Sequence, residues 1–122
     1  MRGAVTALQM LIRLVWVVQV VLGMLLWAGR ALRFLPVHML VGVVFVLLLW
    51  MLSALVMAGR VRTGLTPLTV LWGALTLALG LTQTRLMIGG AHWVVQVLHL
   101  LVGIGGIVLA ERLAAKVKRG WA

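Results

Sequence analysis

The chain has 122 residues, of which 65% are hydrophobic and 10% charged, and its formal net charge is +10 because it carries 11 lysines and arginines but one acidic residue. A water-soluble domain has about 25% charged residues, so this composition excludes an ordinary soluble globular protein. The chain contains no cysteine, which excludes disulfides, thiolate zinc sites, iron–sulfur clusters and covalently attached c-type haem.

Long uncharged intervals divide the sequence into segments that predict membrane-spanning helices. No charged residue occurs at positions 34–59, 63–84 or 86–110. Each interval can cross a bilayer core of about 30 Å at about 1.5 Å per helical residue. With a first segment they predict an all-α, polytopic membrane protein, a single four-helix up-down bundle over residues 1–122 with helices at roughly 8–29, 35–58, 65–88 and 91–111.

The first and last segments are less regular. The uncharged interval between Arg13 and Arg30 is shorter than the others, so the first helix spans a bilayer if Arg13 extends its side chain toward the interface. A basic start before a short apolar run also fits a secretory signal peptide, but we interpret this segment as a membrane helix. At the other end, "ERLAAKVKRGW" predicts a continuation of the last helix, with Trp121 as an interfacial anchor. Trp16 and Trp72 are expected in the inner aromatic belt.

The basic residues predict the orientation of the bundle. With a cytoplasmic N-terminus, three of them lie outside, namely Arg30, Arg33 and Arg85, and the other eight lie inside. This asymmetry predicts a multi-pass protein of the cell (inner) membrane with both termini cytoplasmic. Because the charges sit at helix ends rather than in one patch, they indicate contact with membrane lipid and no nucleic-acid partner.

Two hexapeptides place a histidine in the same local frame. In "VHMLVG" at 37–42 and "LHLLVG" at 98–103, His38 and His99 each precede a glycine by four residues, and an "LG" pair lies one hairpin earlier in each case. The pattern predicts two helical hairpins in tandem, related by an axis along the membrane normal. The second and fourth helices would then lie diagonally across the bundle, with both histidines directed at its centre.

Polar and glycine residues share one face of each predicted helix. The fourth helix carries the clearest stripe, in which successive members are three or four residues apart: His92, Gln96, His99, Gly103 and Gly106. Such a face also suits close helix packing, with small residues at the contact and polar side chains bonded across it. Burying a histidine for that purpose costs more desolvation free energy than burying Asn, Ser or Thr, so the histidines favour a binding role.

Two histidines that face each other across a four-helix bundle suit haem b, because its iron takes two axial imidazoles. Glycines one turn below the histidines and on the flanking helices would give the macrocycle room. The candidate cofactor-binding residues are Gly23, Gly42, Gly80, Gly103 and Gln96, with Arg30, Arg33 and Arg85 available to the haem propionates, and the candidate iron ligands are His38 and His99.

At these histidines and glycines the chain resembles the membrane-bound b-type cytochromes built on four-helix bundles. That family ligates haem through histidines on two non-adjacent helices and passes electrons to or from quinones. The resemblance implies a non-covalent haem b in an electron carrier, with quinone and other membrane subunits, in a homo- or hetero-oligomer, as candidate partners. Three histidines cannot supply two bis-histidine haems, so we expect one haem, in the outer half.

A count of helix depth leaves the second ligand open. Arg60 and Arg112 mark the expected cytoplasmic ends of the second and fourth helices. The number of residues from His38 to Arg60 nearly equals the number from His92 to Arg112, whereas His99 is much closer to Arg112. His92 therefore matches the depth of His38 better, unless the inner end of the fourth helix lies near Lys116. The pairs His38–His99 and His38–His92 both stay open, as does the absence of any histidine-ligated cofactor.

Other functions fit the sequence less well. No carboxylate lies inside a predicted span, so a proton-coupled transporter would lack the acid such proteins usually need, and no hydrolase motif is present. The second hypothesis is a non-catalytic accessory subunit of a respiratory or photosynthetic complex, binding lipid, quinone or (bacterio)chlorophyll. Under both hypotheses the protein is an electron carrier or complex subunit rather than a stand-alone enzyme.

Overall fold

The computed structural model describes residues 1–87 and 89–120, which form four long helices. They are α1 (Arg2–Trp27), α2 (Leu35–Ala58), α3 (Leu65–Thr82) and α4 (His92–Gly120). A 3-10 turn precedes α2 at Leu32–Phe34, and another follows α3 at Gln83–Arg85. All four helices are long and apolar enough to cross a membrane, which confirms the predicted all-α class and helix count.

The helix bounds agree with the prediction for α2 and differ elsewhere. Helix α1 begins six residues earlier than predicted, and α4 continues nine residues further, to Gly120, as the tail sequence indicates. Helix α3 ends at Thr82 rather than 88, because the chain tightens into a 3-10 turn and Met87 then takes a left-handed backbone. Ile88 and the predicted anchor Trp121 lie outside the described residues.

The helices run up and down in a square bundle. Each helix packs on its neighbour in sequence, and α4 closes the square against α1. Helices α2 and α4 lie diagonally opposite, as predicted, and they also touch each other, whereas α1 and α3 do not touch within residues 1–87. Both described ends lie together, since the Arg2 guanidinium donates to the Lys118 carbonyl oxygen over 2.7 Å.

The bundle has a tightly packed core only in the half that contains the chain ends. Fully buried side chains form one core there, among them Val5, Leu52, Val56, Leu113 and Val117. A polar network ties α1 to α4 beside this core: Arg13 donates to both Glu111 oxygens over 2.6 and 2.8 Å, and Gln9 bonds to Glu111 and Lys118. Large apolar side chains cover the outside of all four helices.

Helices α1 and α2 end in the same hydrogen-bonding motif with different residues. In α1 the Arg30 N–H donates to the Leu25 carbonyl over 2.8 Å, and the left-handed position is Gly29 (φ 71°). In α2 the Val61 N–H donates to the carbonyl five residues earlier, and the left-handed position is Arg60 (φ 57°). Glycine is the usual residue at this position because it has no Cβ, so an arginine there is unusual.

Candidate functional site

The other half of the bundle encloses a cavity of about 430 Å³. All four helices contribute to its wall, which is mostly apolar. The candidate residues that line it are Gly23, His38, Gly42, Gly80, His92, Gln96, His99 and Gly103. The fold therefore brings into one space the histidines and glycines that the sequence singled out. A cavity of this volume falls within the usual range for small-molecule and cofactor sites, about 300–1,000 Å³.

His38 on α2 and His99 on α4 face each other across this cavity. Their ring centroids are 6.2 Å apart, and the rings meet at 73°. Only 7% of His38 is exposed, and the Nδ1 atoms of both rings are buried without a hydrogen-bond partner. Buried polar atoms are normally paired, so two orphaned nitrogens in one cavity indicate a group that is not part of the chain.

The length of α4 explains why the two histidines share a depth. Helix α4 runs past Arg112 at least as far as Gly120, the last residue that the structure describes in this helix. The depth count that favoured His92 took Arg112 as the inner end, but the helix continues past it. His92 instead begins α4, where its Nδ1 lies 3.1 Å from the Leu86 carbonyl oxygen and donates to it.

Two of the candidate glycines make room for the imidazoles themselves. A Cβ at Gly23 would lie 3.2 Å from Cε1 of His38, and a Cβ at Gly80 would lie 3.3 Å from Cε1 of His99. The two hairpins thus repeat one contact, between a glycine on the first helix and a histidine on the second. The tandem relation of the hairpins stays a prediction.

The glycines one turn below the histidines differ from each other. A Cβ at Gly42 would lie 2.8 Å from the Gln19 amide nitrogen, so Gly42 accommodates that side chain. A Cβ at Gly103 would meet nothing within 4 Å. Of the four candidate glycines, only Gly103 faces open cavity rather than a neighbouring side chain.

Gln19 is a site residue that the sequence analysis did not include among the candidates. Its amide nitrogen lies 3.4 Å from Nε2 of His38, while its carbonyl oxygen is buried with no partner. On α3 the residue one turn before Gly80 is Thr76, whose hydroxyl donates to a carbonyl of its own helix over 2.8 Å. His38 therefore has a polar side chain from α1 beside it. The corresponding residue of α3 bonds to its own helix and offers His99 no such partner.

Tryptophans link neighbouring helices inside the bundle. The indole N–H groups of Trp16 and Trp72 donate to the carbonyls of Gly103 and Val102 on α4, over 3.1 and 2.8 Å. A glycine makes room for one of these rings, since a Cβ at Gly105 would come within 2.5 Å of the Trp72 ring. Both indoles therefore point into the bundle and do not form the interfacial belt that the sequence predicted.

The predicted propionate partners lie at the cavity end of the bundle but not in the cavity wall. Arg30, Arg33 and Arg85 are exposed, and Arg33 stacks over Phe34 with 4.9 Å between the guanidinium carbon and the ring centroid. The wall itself is formed by neighbouring residues such as Leu32. The three cations are therefore next to the opening rather than inside it.

The two facing imidazoles are not part of a larger group of metal-ligating side chains. Within residues 1–87 and 89–120, no three or more His, Cys, Asp or Glu side chains gather into a metal site, so His38 and His99 form a pair rather than part of a larger cluster. A metal bound by one nitrogen of each ring would hold the ring centroids about 6 Å apart, because a metal–imidazole bond is about 2 Å long. The observed 6.2 Å is close to that spacing, and it also lies within the range of about 4.5–7 Å for two rings packed edge to face.

The fold and site together describe a four-helix bundle of apolar helices with a histidine-lined internal cavity. No protein-family model, no curated protein and no solved structure matches this chain.

Proposed function

We propose that this protein is an integral membrane haem b protein that carries electrons within the membrane. His38 and His99 would hold one non-covalent haem in the cavity, and quinone is the candidate electron partner. The observation that carries the proposal is the 6.2 Å pairing of two imidazoles, each with a buried nitrogen that has no hydrogen-bond partner, in a cavity lined by all four helices. The apolar exterior of the bundle supports a place in lipid.

Each part of the cavity has a role in this proposal. Bound haem supplies reversible one-electron oxidation and reduction. His38 and His99 would hold it from opposite helices. With its amide turned so that the carbonyl oxygen accepts from the His38 Nε2–H, Gln19 would fix the orientation of that ring and leave the Nδ1 lone pair for the iron, as outer-shell partners of metal-bound histidines generally do. The mostly apolar wall excludes water, and the basic residues Arg30, Arg33 and Arg85 supply positive charge near the opening for the propionates.

The test is the absorption spectrum of the detergent-solubilised protein, oxidised and then reduced. We expect a Soret band and an α band that change on reduction, with about one haem per chain. A folded protein that stays colourless after expression with haem available would overturn the proposal. The accessory-subunit hypothesis would then lead, with the cavity as the place for lipid or quinone, or for a (bacterio)chlorophyll on one histidine.

The orientation of the bundle gives a prediction that does not depend on haem. The described end with the chain termini also carries Arg60 and Arg62 in the loop between α2 and α3, so the excess of basic residues favours a cytoplasmic location for this end. Because the natural chain has no cysteine, Gly64→Cys provides a single label site; its backbone is helical and a Cβ there meets nothing within 4 Å.

An impermeant thiol reagent should label Gly64→Cys only after the cells are opened. The matched control is Leu32→Cys, which is 64% exposed at the opposite end and should be labelled in intact cells. Labelling of Gly64→Cys in intact cells, with Leu32→Cys protected, would reverse the assignment of both termini to the cytoplasm.

A further inference from the structure

A second concave site lies at the opposite end of the bundle from the histidines. It is a groove of about 1030 Å³ between the end of α2 and the start of α3. Its basic part is formed by Arg60 and Arg62, and Thr66 contributes to its lining. Its apolar part includes Met57 and Leu71, which are 64% and 68% exposed on the outside of the bundle.

Thr66 carries a buried hydroxyl without a hydrogen-bond partner. The residue is only 5% exposed, and its Oγ1 atom is buried and unpaired. Further along the same helix, Thr69 and Thr76 donate their hydroxyls to carbonyls one turn earlier, over 2.7 and 2.8 Å. Thr66 lies in the first turn of α3, where no helical carbonyl precedes it by four residues. A buried unpaired hydroxyl is costly, and a turn of the Thr66 side chain toward the groove that it lines would let the hydroxyl donate to an acceptor from outside the chain.

The two arginines of the groove have no carboxylate within salt-bridge distance in the described parts of the chain. Glu111 is the only acidic residue in the sequence, and it is paired with Arg13 on the other side of the bundle. Arg60 also holds the left-handed backbone position that α1 gives to Gly29. A non-glycine residue in that conformation is strained, and such strain is concentrated at functional sites. The strained turn sets the direction of a charged side chain that no protein group neutralises.

We infer that this groove binds the headgroup of an anionic phospholipid. The lipid phosphate accepts hydrogen bonds from the Thr66 hydroxyl and from the guanidinium groups of Arg60 and Arg62, and an acyl chain lies along Met57 and Leu71. The exposed apolar wall favours a lipid over a soluble anion, because it continues the apolar outer surface of α2 and α3. Basic pockets between membrane helices are a recognised form of anionic headgroup site.

The binding test uses the full-length protein, stripped of lipid in detergent and titrated with phosphatidylglycerol while native mass spectrometry counts bound lipids. The double variant Arg60→Gly/Arg62→Gln should bind roughly thirtyfold more weakly, since each basic residue near an anionic surface contributes about a fivefold factor. Glycine is the favoured residue at the left-handed position, so this variant keeps the turn. The matched control Arg112→Gln/Lys116→Gln removes the same charge from the exposed side of α4, outside the groove, and should leave the affinity unchanged.

Thr66→Val tests the hydroxyl separately. Valine has nearly the same shape and removes an unpaired polar atom, so the bundle should melt at the same or a higher temperature while phosphatidylglycerol binds about tenfold more weakly. Unchanged affinity in Thr66→Val, equal weakening in the Arg112/Lys116 control, or equal binding of phosphatidylcholine would overturn the inference. Displacement of the lipid by inorganic phosphate at equal concentration would identify a soluble-anion site and would overturn it as well.

Discussion

Alanine at His99 or at His38 should remove most of the haem, or convert the remainder to a high-spin form with one axial ligand. Outer-shell partners of a metal ligand already cost about 10–100-fold in affinity when they are mutated, so the loss of a direct ligand should cost more. The two imidazoles come from opposite helices across a 6.2 Å centroid spacing, and neither His92 nor Gln96 pairs with His38 in the same way. The measurements are the haem-to-protein ratio and the reduced-minus-oxidised spectrum.

His92→Ala is the matched control for these variants. His92 also lines the cavity, but its Nδ1 is engaged by the Leu86 carbonyl at the start of α4. Its loss should loosen that loop and leave the α band in place. If His92→Ala lost the haem while His99→Ala kept its spectrum, the axial pair would be His38 and His92. Full haem in all three variants would contradict histidine ligation altogether.

The sequence predicted the helices more reliably than their ends. Uncharged intervals indicated four helices because each must avoid charge over the width of a membrane, and α2 has the predicted bounds. The ends of α1 and α4 could not be placed in this way, because Arg13 and Glu111 lie inside helices and bond to each other. That pairing joins two residues far apart in the sequence, so it is visible only in the folded bundle.

The candidate site was predictable in its composition and not in its geometry. Helical periodicity places His99 and Gly103 on one face of α4, but periodicity carries no information on depth. The 6.2 Å between the ring centroids shows that His99 lies at the depth of His38. The role of the glycines could not be predicted from the sequence either. Gly23 and Gly80 fit against imidazoles, because the neighbouring helix decides what fills the space left by a missing side chain.

Gly103→Leu should expel the haem while the bundle still folds. Gly103 is the candidate glycine whose Cβ would meet nothing within 4 Å, and it faces the 430 Å³ cavity. Without a cofactor, a leucine fills open apolar space there and replaces a residue of low helix propensity, so the unloaded bundle should be as stable as the natural protein or more so. With haem in the cavity the same side chain collides with it. Overpacking costs about 1–3 kcal/mol, which lowers the haem affinity by a factor of about 5 to 140.

Gly105→Leu is the matched substitution on the same helix, with the opposite expected result. At Gly105 even a Cβ would come within 2.5 Å of the Trp72 ring, which is fixed by its hydrogen bond to the Val102 carbonyl. This variant should unfold at a lower temperature with or without haem, because α3 must move away from α4. The deciding quantity is the ratio of haem to folded protein, measured by absorbance and by the thermal unfolding of each preparation. A well-folded Gly103→Leu protein with full haem would show that the cavity between His38 and His99 is not the haem site, because the leucine and the macrocycle need the same space.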